Sequence, residues 1–529
     1  MGRSRQVTAS SAGGVDSVTL ATRGKKPTYS AYFPADAILT LADIAPGWNG
    51  RNGFFLVRYV ATTLPGSGSN YLASINSGSS ADIIGFRLEF DTPNVEMKDY
   101  WRMLSTNYAF AQNKFHAIAN EPKTWAFGWR EDGFRYTMID DQYTENTNAA
   151  AIPAANAFTT MTINGRNGGS EKFTGNLMYV EFFDEFLSKE EAIARRGQVF
   201  QNATVIATAG QSNIQNWEDG VETTGPAGRT GIVDAIGKTG ATVPIGEIVQ
   251  VHAAEGGSGI WADLTGTAEY WLTDGGQPGP ELLEFFTEVD QIGKDPDYIF
   301  WDQGETESHK LEQGAFLHRT RATYKADLLK VFQLMRAKYP NTQILIGKLG
   351  IRTTFTNQAG IQWIIDVQNE LVNEHPWIHF GWERYDLALN ADGVHYDDAE
   401  YAIQGQRAGR RVAALKGFTV AGGTEGPRLV SCTRAGTTLT INIEHDGGTD
   451  FTPTTGIEGF YYRNAADSGN VALSAVNRTD ATTITATLAS AEAGTLYYMY
   501  NNETVNLANL LKDNGANTLP LQRNKVSVA

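Results

Sequence analysis

Ser212 lies in the run Ala209-Gly210-Gln211-Ser212-Asn213, and far along the same chain stands Asp392-Gly393-Val394-His395. A serine hydroxyl is a poor nucleophile until a base takes its proton. His395 can supply the base. Asp392, three residues earlier, is close enough within one loop or helical turn to bond the imidazole Nδ1 and fix its tautomer. Such a set can attack a carbonyl carbon and hydrolyse the bond beside it. A third run, Trp301-Asp302-Gln303-Gly304-Glu305-Thr306, falls between the two. Singly the signals are weak. A Gly-x-Ser turn is usually only a turn, Asp392 could cap a following helix, and His395 could be a satisfied surface histidine.

Positioning elements decide what the runs are worth. Between residues 199 and 420, Ala203–Thr208, Tyr298–Trp301 and Ile344–Gly347 read as buried strands. Helical spacing intervenes: Leu317, Tyr324, Leu328, Val331 and Met335 share one face, with Pro340 past its end, and Ile361, Ile364, Ile365 and Leu371 share another. A further helix runs from Glu400 through Ala414 and steadies the histidine loop. Strands alternating with helices predict βαβ units and a mostly parallel sheet between helices. Sites in such sheets gather at the carboxyl ends of the strands. There Ser212 sits on a sharp turn after Gly210, its own N–H at a helix N-terminus and aimed where an oxyanion would form.

The flanks have period 2. Gly53–Val60, Gly85–Phe90, Trp125–Trp129 and Phe134–Ile139 read as short strands punctuated by turns such as Glu131-Asp132-Gly133, which predicts an antiparallel sandwich over 28–198. Its last strand, Phe173–Asp184, leads through Leu187-Ser188-Lys189-Glu190-Glu191 into a capped helix, and this close resembles that of laminin-G or concanavalin-like jelly rolls. From 421 to 529, Thr437–Ile443 and Thr482–Leu488 alternate cleanly and predict a C-terminal β-sandwich, a candidate carbohydrate-binding module. Residues 1–27 read as a tail or connector. The fold class is therefore multidomain, with a central α/β parallel-sheet domain between two β-sandwiches.

Bulk properties exclude several classes. The 529 residues exceed one ordinary core, and hydrophobic and charged contents of 41% and 19% are those of globular protein. A net charge of −16 without a basic stripe argues against nucleic acid or an anionic membrane as partner. The single cysteine, Cys432, excludes an internal disulfide and a zinc-thiolate cluster. Histidines 116, 252, 318, 375, 379 and 445 have no ligand spacing, so neither metal nor other cofactor is expected. No apolar run is long enough to span a membrane, and the N-terminal residues lack a signal-peptide pattern.

Gly-Gln-Ser-Asn after a strand, then Glu255-Gly256-Gly257-Ser258-Gly259-Ile260-Trp261, then Trp-x-Gln-Gly-Glu-Thr, then Asp-Gly-Val-His together resemble the SGNH (GDSL-like) hydrolase superfamily. The nearest branch is the carbohydrate O-acetylesterases, both sialate O-acetylesterase-like and acetylxylan-esterase-like. The resemblance covers roughly 200–420. It implies a three-layer α/β/α domain, with Ser212 as nucleophile, His395 as general base and then acid, and Asp392 as its orienting partner. It also implies an oxyanion hole made by the Ser212 N–H, the N–H of Gly256 or Gly257, and the side-chain amide of Gln303, which stands where the wider superfamily has asparagine. Gln211, Asn213 and Glu305 are then supporting residues, Glu305 as a buried group holding its loop. Glu307 and His309 could line the cleft, although solvated loop positions are the plainer reading.

The expected reaction is serine-dependent removal of O-acetyl groups from a polysaccharide or glycan. The alternative is a non-catalytic glycan-binding adhesin or structural spike on a hydrolase fold that no longer turns over. β-Rich modules around a deacetylase without an export signal look like a tail fibre or spike of a phage or phage-like particle, for which a homotrimer is expected. A cytoplasmic esterase is the other setting.

Overall fold

The computed structural model describes residues 29–31, 39–42, 51–61, 69–76, 83–91, 94–103, 106–110, 122–140, 142–147, 160–163, 175–219, 227–237, 241–262, 269–312, 319–351, 359–466, 469–500 and 505–529. The expected tail at 1–27 and the helical position Leu317 lie outside them. The chain is multidomain and mixed α/β, built from several sheets.

Among the described residues, twelve strands between Tyr29 and Phe183 form two six-stranded sheets with antiparallel pairing throughout. One contains Gly53–Ala61, Pro122–Trp129, Phe134–Ile139 and Gly175–Phe183. On one of its faces Phe54, Leu56, Ala126, Tyr136, Met138 and Phe183 pack with Leu187 and Ala192 of the chain that follows. Alternate side chains point to opposite faces of a strand, which is why this set recurs at every second position. Helix Lys189–Val199 begins in a reciprocal capping box, with the Glu191 N–H donating to Ser188 Oγ at 3.2 Å and the Ser188 N–H to Glu191 Oε2 at 2.8 Å.

The five-stranded sheet that follows is wholly parallel. Its spatial order is Ile248–His252, Thr204–Gly210, Tyr298–Asp302, Gln343–Gly347, Ile378–Trp382. Helices cover both faces, because successive strand residues point to opposite sides. Val205, Ala207, Ile299, Trp301, Ile344 and Ile346 meet Phe285, Leu328, Phe332 and Ile364 from helices Pro280–Asp290, Arg321–Lys338 and Ala359–Glu374. Ile206, Phe300 and Leu345 meet Ile214, Trp217, Ile232 and Val412 from helices Ser212–Asp219, Ala227–Ile232 and Asp398–Leu415. Burial of such near-continuous apolar strands on both faces is what stabilises a parallel sheet. In sequence order the strands run 2-1-3-4-5. The chain steps from the first strand to one side, then crosses to the other, which opens a crevice at the carboxyl ends of strands Thr204–Gly210 and Tyr298–Asp302.

Among the described residues beyond Leu415 the strands again pair antiparallel, in two four-stranded sheets and a short strand pair. Leu429, Cys432, Leu439, Ile441, Ile484, Leu496 and Tyr498 fill the core here. Burial pushes the Cys432 thiol up to about 12, so it behaves as a small hydrophobe within a strand. This region is bolted to the parallel sheet. The Arg523 guanidinium bonds Glu383 at 2.8 Å, the Tyr385 hydroxyl donates to Leu521 O at 2.5 Å, and Asn369 Nδ2 donates to the Tyr500 hydroxyl at 2.6 Å. Among the described residues no helix is long and apolar enough to cross a membrane.

Candidate active site

Strand Thr204–Gly210 ends in a turn that only glycine makes without strain. Gly210 has φ +139°, and a Cβ there would stand 1.9 Å from Asp302 O on the neighbouring strand. The turn drops Gln211 and Ser212 onto the carboxyl edge, and helix Ser212–Asp219 starts at the serine itself. The Ser212 N–H therefore belongs to the first helical turn, whose donors have no intrahelical partner.

Asp392 and His395 arrive from the loop after strand Ile378–Trp382. Gly393, at φ +72°, closes a turn in which the Gly393 N–H donates to Asn390 O at 3.1 Å and the Asn390 N–H to His395 O at 2.8 Å. Asp392 Oδ1 accepts from the N–H groups of Val394 and His395 at 2.7 and 2.9 Å, and its Oδ2 lies 2.5 Å from His395 Nδ1. Partial burial pushes the Asp392 carboxyl up, but these hydrogen bonds outweigh it and hold the group below the usual aspartate range. His395 Nε2 then lies 2.8 Å from Ser212 Oγ. Serine, imidazole and carboxylate form one hydrogen-bonded line. Asp392 does not cap the next helix, because the N-cap of Asp398–Leu415 is Asp397.

The glycine run follows strand Ile248–His252, on the other side of strand Thr204–Gly210. A Cβ on Gly256 would lie 3.7 Å from Ser212 Cβ and 2.5 Å from Gln215 Oε1, whereas one on Gly257 would meet nothing within 4 Å. Gly256 is thus the glycine beside the serine. Ser258 fixes the loop, its Oγ donating to Gly210 O at 3.0 Å and accepting from Trp271 Nε1 at 3.1 Å. Neither the Gly256 N–H nor the Ser212 N–H has a hydrogen-bond acceptor among the described residues.

Gln303 is wholly buried at the end of strand Tyr298–Asp302. One of its two amide hydrogens goes to Glu307, whose other oxygen accepts the Ile260 N–H at 2.6 Å. Its Oε1 has no hydrogen-bond partner among the described residues. Glu307 is therefore not a solvated loop residue. It is fully buried and ties the Gln303 loop to the strand that follows the glycine run. The expectation failed because helix Glu305–Glu312 turns Glu307 inward, which a polar Glu-Thr-Glu-Ser run does not reveal. His309 is half-buried on the same helix.

The supporting residues form a second network beneath this edge. Gln211 Oε1 accepts the N–H groups of Gly304 and Thr306, both at 3.3 Å. Asn213 Nδ2 donates to Glu305 Oε1 at 2.7 Å, and Asn213 Oδ1 accepts the Tyr401 hydroxyl at 2.9 Å. Arg384, unremarked in the sequence reading, lies at the centre. It grips Asp302 with two bonds of 2.5 and 2.6 Å and reaches Glu305 at 2.8 Å, with no solvent exposure of its own. Burial and the neighbouring Glu305 push the Asp302 carboxyl up while Arg384 opposes them, and the net direction is upward. Among the described residues no cluster of His, Cys, Asp or Glu could hold a metal ion.

Burial also pushes the Glu307 carboxyl up to about 7, against the bonds from Ile260 and Gln303. A folded-state pKa above the unfolded value means that the native state binds the extra proton in between, so stability is full below the unfolded pKa and falls as pH rises. From roughly pH 4.5 to pH 7 this one group is expected to remove about 3 kcal/mol. Urea denaturation of Glu307→Gln across that window should show a decline smaller by about that amount, the share of Asp302 remaining; an unchanged slope would place the titration elsewhere.

No family model matches the chain and no curated protein matches it. Among solved structures it is similar to a carbohydrate acetylesterase from Xanthomonas citri, at 12% identity and a TM-score of 0.42 over 76% of this chain and 95% of that one. It is similar also to the CBM40 domain of the Ruminococcus gnavus IT-sialidase, at 14% identity and a TM-score of 0.26, covering 31% of this chain and 96% of that one. The NanB sialidase from Streptococcus pneumoniae matches at 13% identity and a TM-score of 0.26, over 31% of this chain and 27% of that one. Likenesses this distant say nothing about chemistry, which is read from the site itself.

Proposed function

We propose that the protein is a serine esterase of SGNH type that removes O-acetyl groups from a polysaccharide or glycan. The observation that carries the reading is the line Ser212 Oγ, His395 Nε2, His395 Nδ1, Asp392 Oδ2, with steps of 2.8 and 2.5 Å, set beside two uncommitted N–H groups. His395 takes the Ser212 proton as Oγ attacks the acetyl carbonyl. The resulting oxyanion accepts from the Ser212 and Gly256 N–H groups, and from the second amide hydrogen of Gln303. His395 returns the proton to the departing sugar oxygen. Water, deprotonated by the same imidazole, then attacks the acetyl-serine; acetate departs as the C–Oγ bond breaks, and His395 returns the proton to Ser212 Oγ. Glu307 would hold the Gln303 amide at a fixed angle throughout.

In this reading 199–420 is the hydrolase domain, and the sandwiches at 28–198 and 421–529 hold a polymeric substrate or a particle. The open carboxyl edge, with Asp392 47% exposed and His395 26%, suits a bulky substrate better than a small buried one. The test is acetate release from O-acetylated xylan and O-acetylated sialosides by the whole chain. Binding of these polymers without acetate release would favour the non-catalytic adhesin instead.

Gln303→Leu checks the side-chain donor. Loss of one oxyanion donor is expected to lower kcat on p-nitrophenyl acetate about 10²–10³-fold with little change in KM. A variant within twofold of the parent would remove Gln303 from the hole.

A further inference from the structure

A polar cavity lies two strands over from Ser212 along the sheet, between strand Ile378–Trp382, helix Ala359–Glu374 and the C-terminal sheets. It encloses about 340 Å³, and its walls include Lys348, Asn369, Phe380, Leu429, Gln522 and Arg523. Lys348 follows strand Gln343–Gly347, and strand Tyr298–Asp302 stands between that strand and the one leading to Ser212. Only 3% of Lys348 is exposed. Its backbone N–H is anchored on Trp382 O at 3.0 Å. Its ammonium has no hydrogen-bond or ion-pair partner among the described residues, and its nearest ring, that of Phe380, is centred 5.7 Å away.

The acidic groups around it are committed elsewhere. Glu383 accepts both the Arg523 Nε–H and the Arg523 backbone N–H, at 2.8 and 2.9 Å. Glu425 pairs with Arg411 at 2.5 Å, Glu444 with Arg428 at 2.8 Å, and Asp366 with Lys525 at 2.6 Å. Lys348 is therefore a surplus positive charge on the wall of this polar cavity. Both terminal nitrogens of Arg523, on the same wall, also have no acceptor among the described residues. A buried ammonium without a counter-ion is costly, and the protein either weakens its basicity or supplies an anion. Burial pushes Lys348 down to about 8; Glu383 opposes this and Arg523 adds to it.

We propose that this cavity binds a compact oxyanion, carried either by inorganic phosphate or by the carboxylate of an acidic sugar. Its volume is at the small end of ligand sites, enough for an ion or one sugar ring. The Lys348 ammonium supplies the charge-assisted hydrogen bond. Asn369, whose Nδ2 is held by Tyr500, keeps its Oδ1 for a sugar hydroxyl. The site is separate from Ser212 and stands or falls without the esterase reading.

Isothermal titration of the whole chain with sodium glucuronate, sodium phosphate and neutral glucose tests the site. Glucuronate binding with phosphate and glucose silent would assign an acidic sugar, and binding of both anions without glucose would assign the oxyanion alone. In either case Lys348→Met should weaken the anion about tenfold or more, Lys348→Arg should retain it, and p-nitrophenyl acetate turnover should not change. Asn373→Asp, at an exposed rim position, puts a carboxylate at the mouth and should also weaken binding, which keeps the test open if Lys348→Met does not fold. Failure of both anions to bind the parent chain, or equal binding by Lys348→Met, would overturn the proposal.

Discussion

Ser212→Ala is expected to lower kcat for acetyl ester hydrolysis by about 10⁴–10⁶-fold while leaving the fold and the affinity for acetylated polymer in place. The size follows from what the hydroxyl does. Without Oγ there is no acyl-enzyme, and His395 could at best direct water at the carbonyl from a poorer position. The residual rate would come from the N–H groups of Ser212 and Gly256, which the substitution does not remove. Stability should change little, since Ser212 is only half-buried and the bond from its Oγ to His395 lies at the surface edge of the sheet. Steady-state rates on p-nitrophenyl acetate, with thermal melting as the control, measure both. A variant within tenfold of the parent would contradict the nucleophile assignment.

Arg384→Met is expected to destabilise the protein by about 3–5 kcal/mol near neutral pH. Arg384, Asp302 and Glu305 are all sealed from solvent, and the single guanidinium serves both carboxylates. Removing it takes the counter-charge from two buried carboxylates, and Asp302, already pushed up by burial, must take up a proton. Its folded pKa would then lie further above the unfolded one. Native protons exceed unfolded protons in that window, so the variant should lose more stability at pH 8 than at pH 5. Chemical denaturation at the two pH values reads the difference. Equal losses at both would mean that the lost term is packing, not charge. Because Glu305 also holds Asn213 at 2.7 Å, activity should fall alongside stability as the serine turn loosens.

Much of this was legible in the sequence, for identifiable reasons. Strands Tyr298–Asp302 and Gln343–Gly347 are short apolar runs bounded by turn residues, and buried parallel strands take that form. Helix Arg321–Lys338 announced itself through Tyr324, Leu328, Val331 and Met335, all buried on one side. The seating of Ser212 followed from Gly210, where a side chain would collide with Asp302 O. Asp392 and His395 were readable because their partnership is local, within one loop.

What stayed hidden depends on pairing across the chain. Strand Ile248–His252 offers only Ile248-Val249-Gln250-Val251 as signal, and Ile378–Trp382 carries His379 and Gly381, so neither stood out. Arg384 reads as one more surface cation until the fold brings it to Asp302, 82 positions away. Glu307 looked solvated for the same reason: its partners are Ile260, which lies 47 positions back, and Gln303 on the buried side of its own helix. Which of Gly256 and Gly257 adjoins the serine was likewise a question of distance, not of residue type. Lys348 gave no sign at all, since an isolated lysine after a strand is ordinary until the sheet edge is covered.

The central claim is that Ser212 carries the acyl group. Rapid acid quench of the whole chain with p-nitrophenyl acetate, followed by peptide mass spectrometry, tests it directly. One acetyl group is expected on the peptide containing Ser212, formed within the nitrophenol burst and absent from both Ser212→Ala and His395→Ala. Acetate release without any acetyl-Ser212, or an acetyl group on another residue that survives in Ser212→Ala, would contradict it.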